Sequence, residues 1–127
     1  MEDSNEKDEM ANMEPIKVKY WRDQLVEHPD FTGCLINNNN DKAWFKNGLK
    51  HREDGQPAVE CAKGYNNNSY KAWFKNGQRH REDGPAIEFA DGDKEWWLND
   101  MRYNSEQDWM IATRKIKLEK VLKKING

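Results

Sequence analysis

Two four-residue clusters in this sequence each place an imidazole beside two carboxylates. Both read His-Arg-Glu-Asp, at residues 51–54 and 80–83. A histidine next to carboxylates can act as a general base, and two such clusters could together supply metal ligands. The cluster nevertheless recurs at the same place in a longer repeat, whereas an active site is normally built once. Because Asp before Gly favours a turn and Arg and Glu can pair across neighbouring strands, we interpret the clusters as structural.

Other sequence signatures of catalysis or cofactor binding are missing. Cys34 and Cys61 are the only cysteines, and their separation fits neither a zinc site nor a disulfide framework. We interpret both as small apolar core residues. No glycine-rich phosphate loop and no nucleophile elbow occurs. The sequence therefore predicts a protein that is not an enzyme, with no catalytic residue, no cofactor and no metal.

The clusters belong to an internal repeat. Residues 42–48 read Lys-Ala-Trp-Phe-Lys-Asn-Gly, and residues 71–77 are identical. A third copy starts at residue 94 with Lys-Glu-Trp-Trp-Leu-Asn-Asp and fades after Tyr103, which replaces the histidine. A degraded fourth copy is predicted upstream, where residues 20–23 match the Trp-Phe-Lys-Asn step and residues 30–31 match Asp-Gly. Atypical first and last copies are typical of capping repeats.

Turn signals within each copy predict β-hairpins. The Asn-Gly pairs at residues 47–48 and 76–77 and the Asp-Gly pair at 91–92 favour two-residue turns, in which positive φ is required. Trp73 and Phe74 point to opposite faces of a strand, so the sheet should be partly covered on both sides, or it should curl. The predicted fold class is therefore mainly β, an antiparallel meander of β-hairpin repeats with about eight to ten strands and one C-terminal α-helix.

The C-terminal helix is predicted from its start signal and its apolar spacing. Ser105 is a helix cap followed by acids in the first turn, and no Gly or Pro then occurs before Gly127. One helix face is apolar at Met110, Ile111, Leu118, Val121, Leu122 and Ile125, and the opposite face carries Trp109, Ala112 and Ile116. A single sheet can cover only one of these faces, which leaves the other for a second part of the sheet or for a partner.

Length and charge divide the chain into three parts. The 127 residues fit one domain, and six Trp, four Tyr and four Phe predict an aromatic-rich core despite 35% charged residues. Residues 1–14 carry six acids against one lysine and are expected to be a disordered tail. Residues 15–103 are expected to form the repeat domain of about four units, and residues 104–127 the helix packed on it. With no leader and no apolar span in the sequence, we expect a cytoplasmic protein without membrane contact, in the host cytoplasm if it is phage-encoded.

The repeated Trp-Phe-Lys-Asn-Gly and His-Arg-Glu-Asp-Gly steps, followed by Pro-Ala, resemble the variant MORN-type repeats. The resemblance covers residues 41–103 well and residues 16–36 weakly. Such repeats occur in bacterial proteins described as antitoxins and in proteins of phages and giant viruses. The resemblance implies a meandering antiparallel sheet and a binding role, and it carries over no catalytic residue. The standard MORN pattern has more glycines and a Tyr-x-Gly core, and this departure weakens the expectation of lipid binding.

The function predicted from these features is a non-catalytic protein-binding module, and the resemblance implies an inhibitor or antitoxin type. Its acidic tail could act as a nucleic-acid mimic in a basic groove. The alternative is a nucleic-acid-binding protein that uses the basic helix, where residues 114–124 carry six bases. Homo-oligomers could form through the same helix. The candidate partner-binding residues are aromatic, arginine and C-terminal helix positions: Phe45, Phe74, Trp97, Arg52, Arg81, Trp109, Ile116, Lys120 and Lys124.

Overall fold

The computed structural model describes residues 13–126, apart from the side chain of Tyr65, and these residues are mainly β with one long C-terminal helix. The helices are α1 (Trp21–Glu27) and α2 (Glu106–Asn126), and a 3-10 turn spans Tyr65–Asn67. The strands are β1 (Ile16–Lys17), β2 (Gly33–Ile36), β3 (Lys42–Lys46), β4 (Leu49–Lys50), β5 (Val59–Cys61), β6 (Tyr70–Ala72), β7 (Phe74–Lys75), β8 (Gln78–Arg79), β9 (Ile87–Phe89), β10 (Lys94–Leu98) and β11 (Met101–Tyr103). The predicted disorder of residues 1–14 falls on residues that, except for 13 and 14, lie outside the described part.

Nine of these strands form one mixed sheet. Its order is β1-β2-β3-β5-β6-β9-β10-β11, with β4 paired to β3, and β7 and β8 form a separate two-stranded sheet. All pairs are antiparallel except β1–β2, in which Ile16 lies opposite Leu35. The prediction of a mainly β fold with a C-terminal helix is confirmed, and the parallel first pair departs from the predicted antiparallel pattern.

The two predicted Asn-Gly turns are present, whereas the predicted two-residue turn at Asp91-Gly92 is a three-residue loop between Phe89 and Asp93, in which only Gly92 has positive φ, at 98°. Asn47 and Gly48 have φ values of 52° and 81°, and Asn76 and Gly77 have 51° and 83°. These left-handed pairs match the right-handed twist of the hairpin strands that they join. In the third copy, Asn99 and Asp100 adopt the same conformation, at 49° and 66°.

Both faces of the large sheet carry large apolar residues, as the sequence predicts. One face holds the core cluster, whose buried members are Leu35, Ala43, Phe45, Val59 and Ala72. Trp44 lies on the opposite face because side chains alternate along a strand. The strand register extends both faces across the sheet. Ala43 aligns in turn with Val59, Ala72, Ile87 and Glu95, which therefore share the face of the core cluster. Trp96 follows Glu95 and so lies on the opposite face, together with Trp44.

The segment before β2 differs from the predicted degraded hairpin. Residues 21–27 form helix α1, which packs Trp21 and Leu25 against the core cluster on the Phe45 face. These two residues are four apart and therefore share one helix face. The helix ends at Glu27, because Pro29 disfavours the helical conformation at His28, the residue before it. The match of residues 20–23 to a strand was therefore wrong.

The start of α2 confirms the predicted cap. The Ser105 hydroxyl accepts a hydrogen bond from the Asp108 backbone N–H at 3.1 Å, and Glu106 and Asp108 lie in the first turn. The helix follows β11, so it sits at the end of the sheet away from β1. Within residues 13–126, no helix is long and apolar enough to cross a lipid bilayer.

Candidate functional site

The histidines of the two clusters connect one copy of the repeat to the next. His51 Nδ1 accepts the Asn76 backbone N–H at 3.0 Å, and His80 Nδ1 accepts the Asn99 N–H at 2.9 Å. At the first turn, the Thr32 hydroxyl accepts the equivalent N–H at 2.9 Å. A nitrogen that accepts a backbone N–H carries no proton, so each imidazole is the tautomer with its proton on Nε2. The third copy has no following turn to bind, which explains why Tyr103 can replace histidine there.

The second imidazole nitrogen is also engaged. Each Nε2 lies beside the glutamate two residues later, 3.0 Å from Glu53 and 2.8 Å from Glu82. Each glutamate binds a lysine as well: Lys46 lies 3.3 Å from Glu53, and Lys120 of α2 lies 2.8 Å from Glu82. Both nitrogens of each histidine therefore have partners within the fold, and the second cluster also anchors α2.

The arginines of the clusters cover the tryptophans. The Arg52 guanidinium lies 3.7 Å from the Trp44 ring centroid, and Arg81 lies 3.8 Å from that of Trp73. Each arginine donates to the carbonyl of the next proline, at 3.2 and 3.1 Å, and pairs with a glutamate of the following strand at 3.5 and 3.0 Å. Their side chains are only 16% and 19% exposed. Arg52 and Arg81, both predicted to bind a partner, are thus held mainly by contacts within the chain.

Trp109 of α2 takes the place of this arginine in the third copy. The sequence there has Asn104 where the first two copies have Arg. The Trp96 and Trp109 rings lie 4.7 Å apart, and Trp109 Nε1 donates to the Arg81 carbonyl at 3.0 Å. Trp109 is 7% exposed. The predicted partner contact of Trp109 stays a prediction, but in this structure the side chain is already buried in the fold.

Phe45, Phe74 and Trp97 each follow a repeated tryptophan and lie on the opposite face of their strands from it. Phe45 is buried, with the rings of Trp21 and Phe31 within 6.5 and 6.3 Å of its own. Phe74 and Trp97 are half-buried, and a basic side chain lies 5.2 and 4.4 Å from their respective ring centroids. The buried position of Phe45 removes it from the predicted partner surface, whereas Phe74 and Trp97 remain partly accessible.

Helix α2 docks through one of its two apolar faces and leaves the other in solvent. Trp109 and Thr113 are buried, and Ile116 is half-buried along the same side. The opposite side forms what we call the α2 stripe, with exposed fractions of 65% for Ile111, 59% for Leu118, 52% for Val121, 46% for Leu122 and 73% for Ile125. The sequence showed both faces, but three of the four predicted partner residues on α2, namely Trp109, Ile116 and Lys120, lie on the docked side. The residue that could have identified the docked face is Trp96. No arginine occupies the equivalent position in its copy to pack on the Trp96 ring, so another side chain has to cover it.

The bases of α2 are unequally engaged. Lys120 binds Glu82, while Arg114, Lys115, Lys117, Lys123 and Lys124 are exposed. A groove of about 780 Å³ lies beside the docked face, and its charged lining mixes lysines such as Lys75 with Glu82 and Glu119. Nowhere in the described residues do three His, Cys, Asp or Glu side chains gather in a way that could hold a metal ion.

The two cysteines are free and differ in burial. Cys34 is 1% exposed, and burial raises the pKa of its thiol to about 11. Cys61 is half-buried, and burial also raises its thiol pKa, helped by a hydrogen bond with Asp41. Thiols with raised pKa values carry little thiolate at neutral pH and are poor nucleophiles.

Acid should weaken the fold through the two cluster glutamates. The hydrogen bond from His51 holds the pKa of Glu53 below its usual value. Burial raises the pKa of Glu82, but the hydrogen bonds from Lys120 and His80 outweigh it, so the net shift is also downward. A carboxyl whose folded-state pKa is lowered stabilises the fold above its unfolded pKa of about 4.3 and loses this contribution as pH falls through the folded value.

We therefore expect the free energy of unfolding to fall steeply with pH below about 4.3, measured by urea unfolding at a series of pH values. Glu82→Gln should flatten part of that decline. Glu119→Gln, on the exposed side of α2, should keep the wild-type slope. A Glu82→Gln slope identical to wild type would contradict the assignment.

Comparison with known proteins returned no similarity. No protein-family model matches the chain, and no curated protein and no solved structure shows a significant match to it. The resemblance to MORN-type repeats therefore stays a prediction from the sequence.

Proposed function

We propose that this protein is a non-catalytic protein-binding module that acts as an inhibitor or antitoxin-like neutraliser of phage, viral or bacterial origin. The observation that carries the proposal is the α2 stripe, which exposes five large apolar side chains along one face of a docked helix. Contiguous exposed apolar surface of this kind is typical of interaction sites. The inhibitory role rests on the resemblance to MORN-type repeats alone.

The engagement of the repeated clusters supports a binder over an enzyme. Both nitrogens of His51 and of His80 are hydrogen-bonded within the fold. A general base needs a free lone pair within reach of a substrate proton. In this arrangement the histidines hold neighbouring copies together, and a catalytic role would first have to break those bonds.

The same bonds support the finer proposal that the copies act as stacked β-hairpin units. Each of the three turns donates a second backbone N–H to a carbonyl of the preceding copy. The pairs are Gly48 to Phe31 at 2.8 Å, Gly77 to Lys50 at 2.9 Å and Asp100 to Arg79 at 2.9 Å. By this alignment, Phe31 and Thr32 of the degraded copy correspond to Lys50 and His51, and not to the Asp-Gly step.

Affinity capture from a nuclease-treated lysate of the natural host tests the protein-binding function. The baits are the full chain, a Leu118→Gln/Leu122→Gln stripe variant, and a Val26→Gln/Met101→Gln control. The control changes two apolar residues that are 76% and 62% exposed and lie outside α2. We expect mass spectrometry to identify one protein in stoichiometric amount with the full chain and the control, and to lose it with the stripe variant. Capture that survives the stripe variant would contradict this site.

A nucleic-acid-binding role is the second candidate, because six bases are exposed on the 21-residue helix α2 and only Lys120 among them forms an ion pair in the described residues. Phosphate contacts make such binding strongly salt-dependent. It predicts that whatever the full chain captures disappears on nuclease treatment, and that the stripe variant binds nucleic acid as well as wild type. Protein capture that persists after nuclease would reject it.

A further inference from the structure

We propose that the α2 stripe binds an amphipathic helix of the partner whose apolar face is bordered by Asp or Glu. This inference rests on the proposed protein-binding function and names the chemistry of the partner at that site. It follows from the spacing of the stripe, from the sign of the charges beside it, and from the two other occupants that the structure disfavours.

The spacing of the stripe suits a second helix. Ile111, Leu118 and Ile125 recur every seven residues, with Val121 and Leu122 between the last two. A seven-residue repeat of apolar side chains is the pattern by which one helix packs along another. The stripe extends over about 22 Å, or four helical turns. It lies on the side of α2 opposite the buried Trp109, so a second helix can approach without displacing the sheet.

The charges at the stripe are mainly basic. Arg114 lies within the stripe between Ile111 and Leu118, Lys117 and Lys124 border one side, and Lys115 and the acidic Glu119 border the other; all five are exposed. None of the four bases forms an ion pair within residues 13–126. Charges that border an apolar helix seam select the partner by sign. The seam of this helix therefore favours a partner with acids at the facing positions.

A second copy of the chain is disfavoured by the same charges. In an antiparallel pair the borders with Lys117 and Lys124 meet each other, and in a parallel pair the two Arg114 side chains meet within the seam. Like charges that face each other across a helix seam oppose association. Self-association through the stripe would therefore bring lysines such as Lys117 and Lys124 close to those of the second copy.

The acidic residues at the start of the same chain are also poorly placed to bind the α2 stripe. Residues 1–12 carry five acids, and β1 follows them at one end of the sheet, whereas α2 follows β11 at the other end. Seven strand spacings separate these ends, which is about 34 Å. Twelve fully extended residues reach about 40 Å. They could touch the stripe only by staying almost fully extended across the whole sheet, which carries a large cost in conformational entropy, so a separate chain is the better occupant.

Two synthetic peptides of about 20 residues test the inference. Both have Leu and Ile at the seam positions; one has Glu at the bordering positions and its twin has Lys. Fluorescence anisotropy with the full-length protein should show at least about tenfold tighter binding of the Glu peptide, the size expected of several exposed charge pairs. The preference should shrink at about 1 M salt, where the Debye length is about 3 Å.

Three variants make the result decisive. Leu118→Gln/Leu122→Gln should abolish binding of both peptides, and Lys115→Gln/Lys117→Gln/Lys124→Gln should remove the preference for the Glu peptide. Deletion of residues 1–12 should leave the affinity unchanged. Equal binding of the two peptides, no binding of either, self-association that the stripe variant abolishes, or tighter peptide binding after the deletion would overturn the inference.

Failure here is distinguishable from failure of the proposed function. If the peptides bind equally but the captured host protein is still lost with the stripe variant, the protein-binding function stands and only the acidic-helix partner falls. If the stripe variant still captures the host protein, the stripe is not the binding site, whatever the peptides show.

Discussion

Replacing Trp109 with alanine should lower the free energy of unfolding by about 3–5 kcal/mol, the usual cost of removing a buried Trp or Phe side chain. Trp109 is 7% exposed, stacks on Trp96 and donates a hydrogen bond to the Arg81 carbonyl. It also supplies the cover that arginine provides in the first two copies. Urea unfolding followed by far-ultraviolet circular dichroism measures the loss.

Two further variants keep the Trp109 result interpretable. Met110→Ala changes the neighbouring residue, which is 38% exposed, and should cost less than about 1 kcal/mol. Trp109→Phe keeps an aromatic ring on Trp96 but loses the indole N–H and part of the buried ring volume, so it should fold and fall between wild type and the alanine variant. A loss no larger for Trp109→Ala than for Met110→Ala would mean that α2 does not depend on this contact.

The sequence correctly predicted the Asn-Gly turns and the helix start, which depend on residues close to one another in the chain. The Asn-Gly turns form because Asn47 and Asn76 tolerate positive φ and Gly48 and Gly77 adopt it freely. The start of α2 follows from the Ser105 cap. Each of these depends on contacts within four residues, and such contacts are visible in a single sequence.

The sequence could not decide features that depend on distant contacts. Residues 20–23 resemble a strand of the repeat, but Trp21 and Leu25 gain more by packing on Phe45 from a helix. The two apolar faces of α2 are equivalent by periodicity, and only the uncovered Trp96 selects the Trp109 face. The sequence therefore could not show which face of α2 docks on the sheet, and the large aromatic side chain of Trp109 marks the face that the fold itself uses.

The first and second hairpin turns should respond differently to the same glycine substitution. Gly48 and Gly77 occupy equivalent positions and have nearly equal φ values of 81° and 83°. A Cβ at Gly77 would lie 3.3 Å from the flexible Leu49 side chain, whereas a Cβ at Gly48 would collide with the backbone carbonyl of Pro29. A side chain can rotate away, but the Pro29 carbonyl is fixed by the end of α1 and cannot move alone.

We therefore expect Gly77→Ala to cost about 1–2 kcal/mol, the penalty for an L-residue in the left-handed region. Gly48→Ala should carry the same penalty plus about 1–3 kcal/mol for overpacking, because either the turn or the segment around Pro29 must shift. Paired urea unfolding of the two variants measures the difference, and the strain common to both cancels in it. Equal losses in the free energy of unfolding would show that the backbone around Pro29 moves away from a new Cβ as easily as the Leu49 side chain does. They would also show that α1 does not hold the first turn in place.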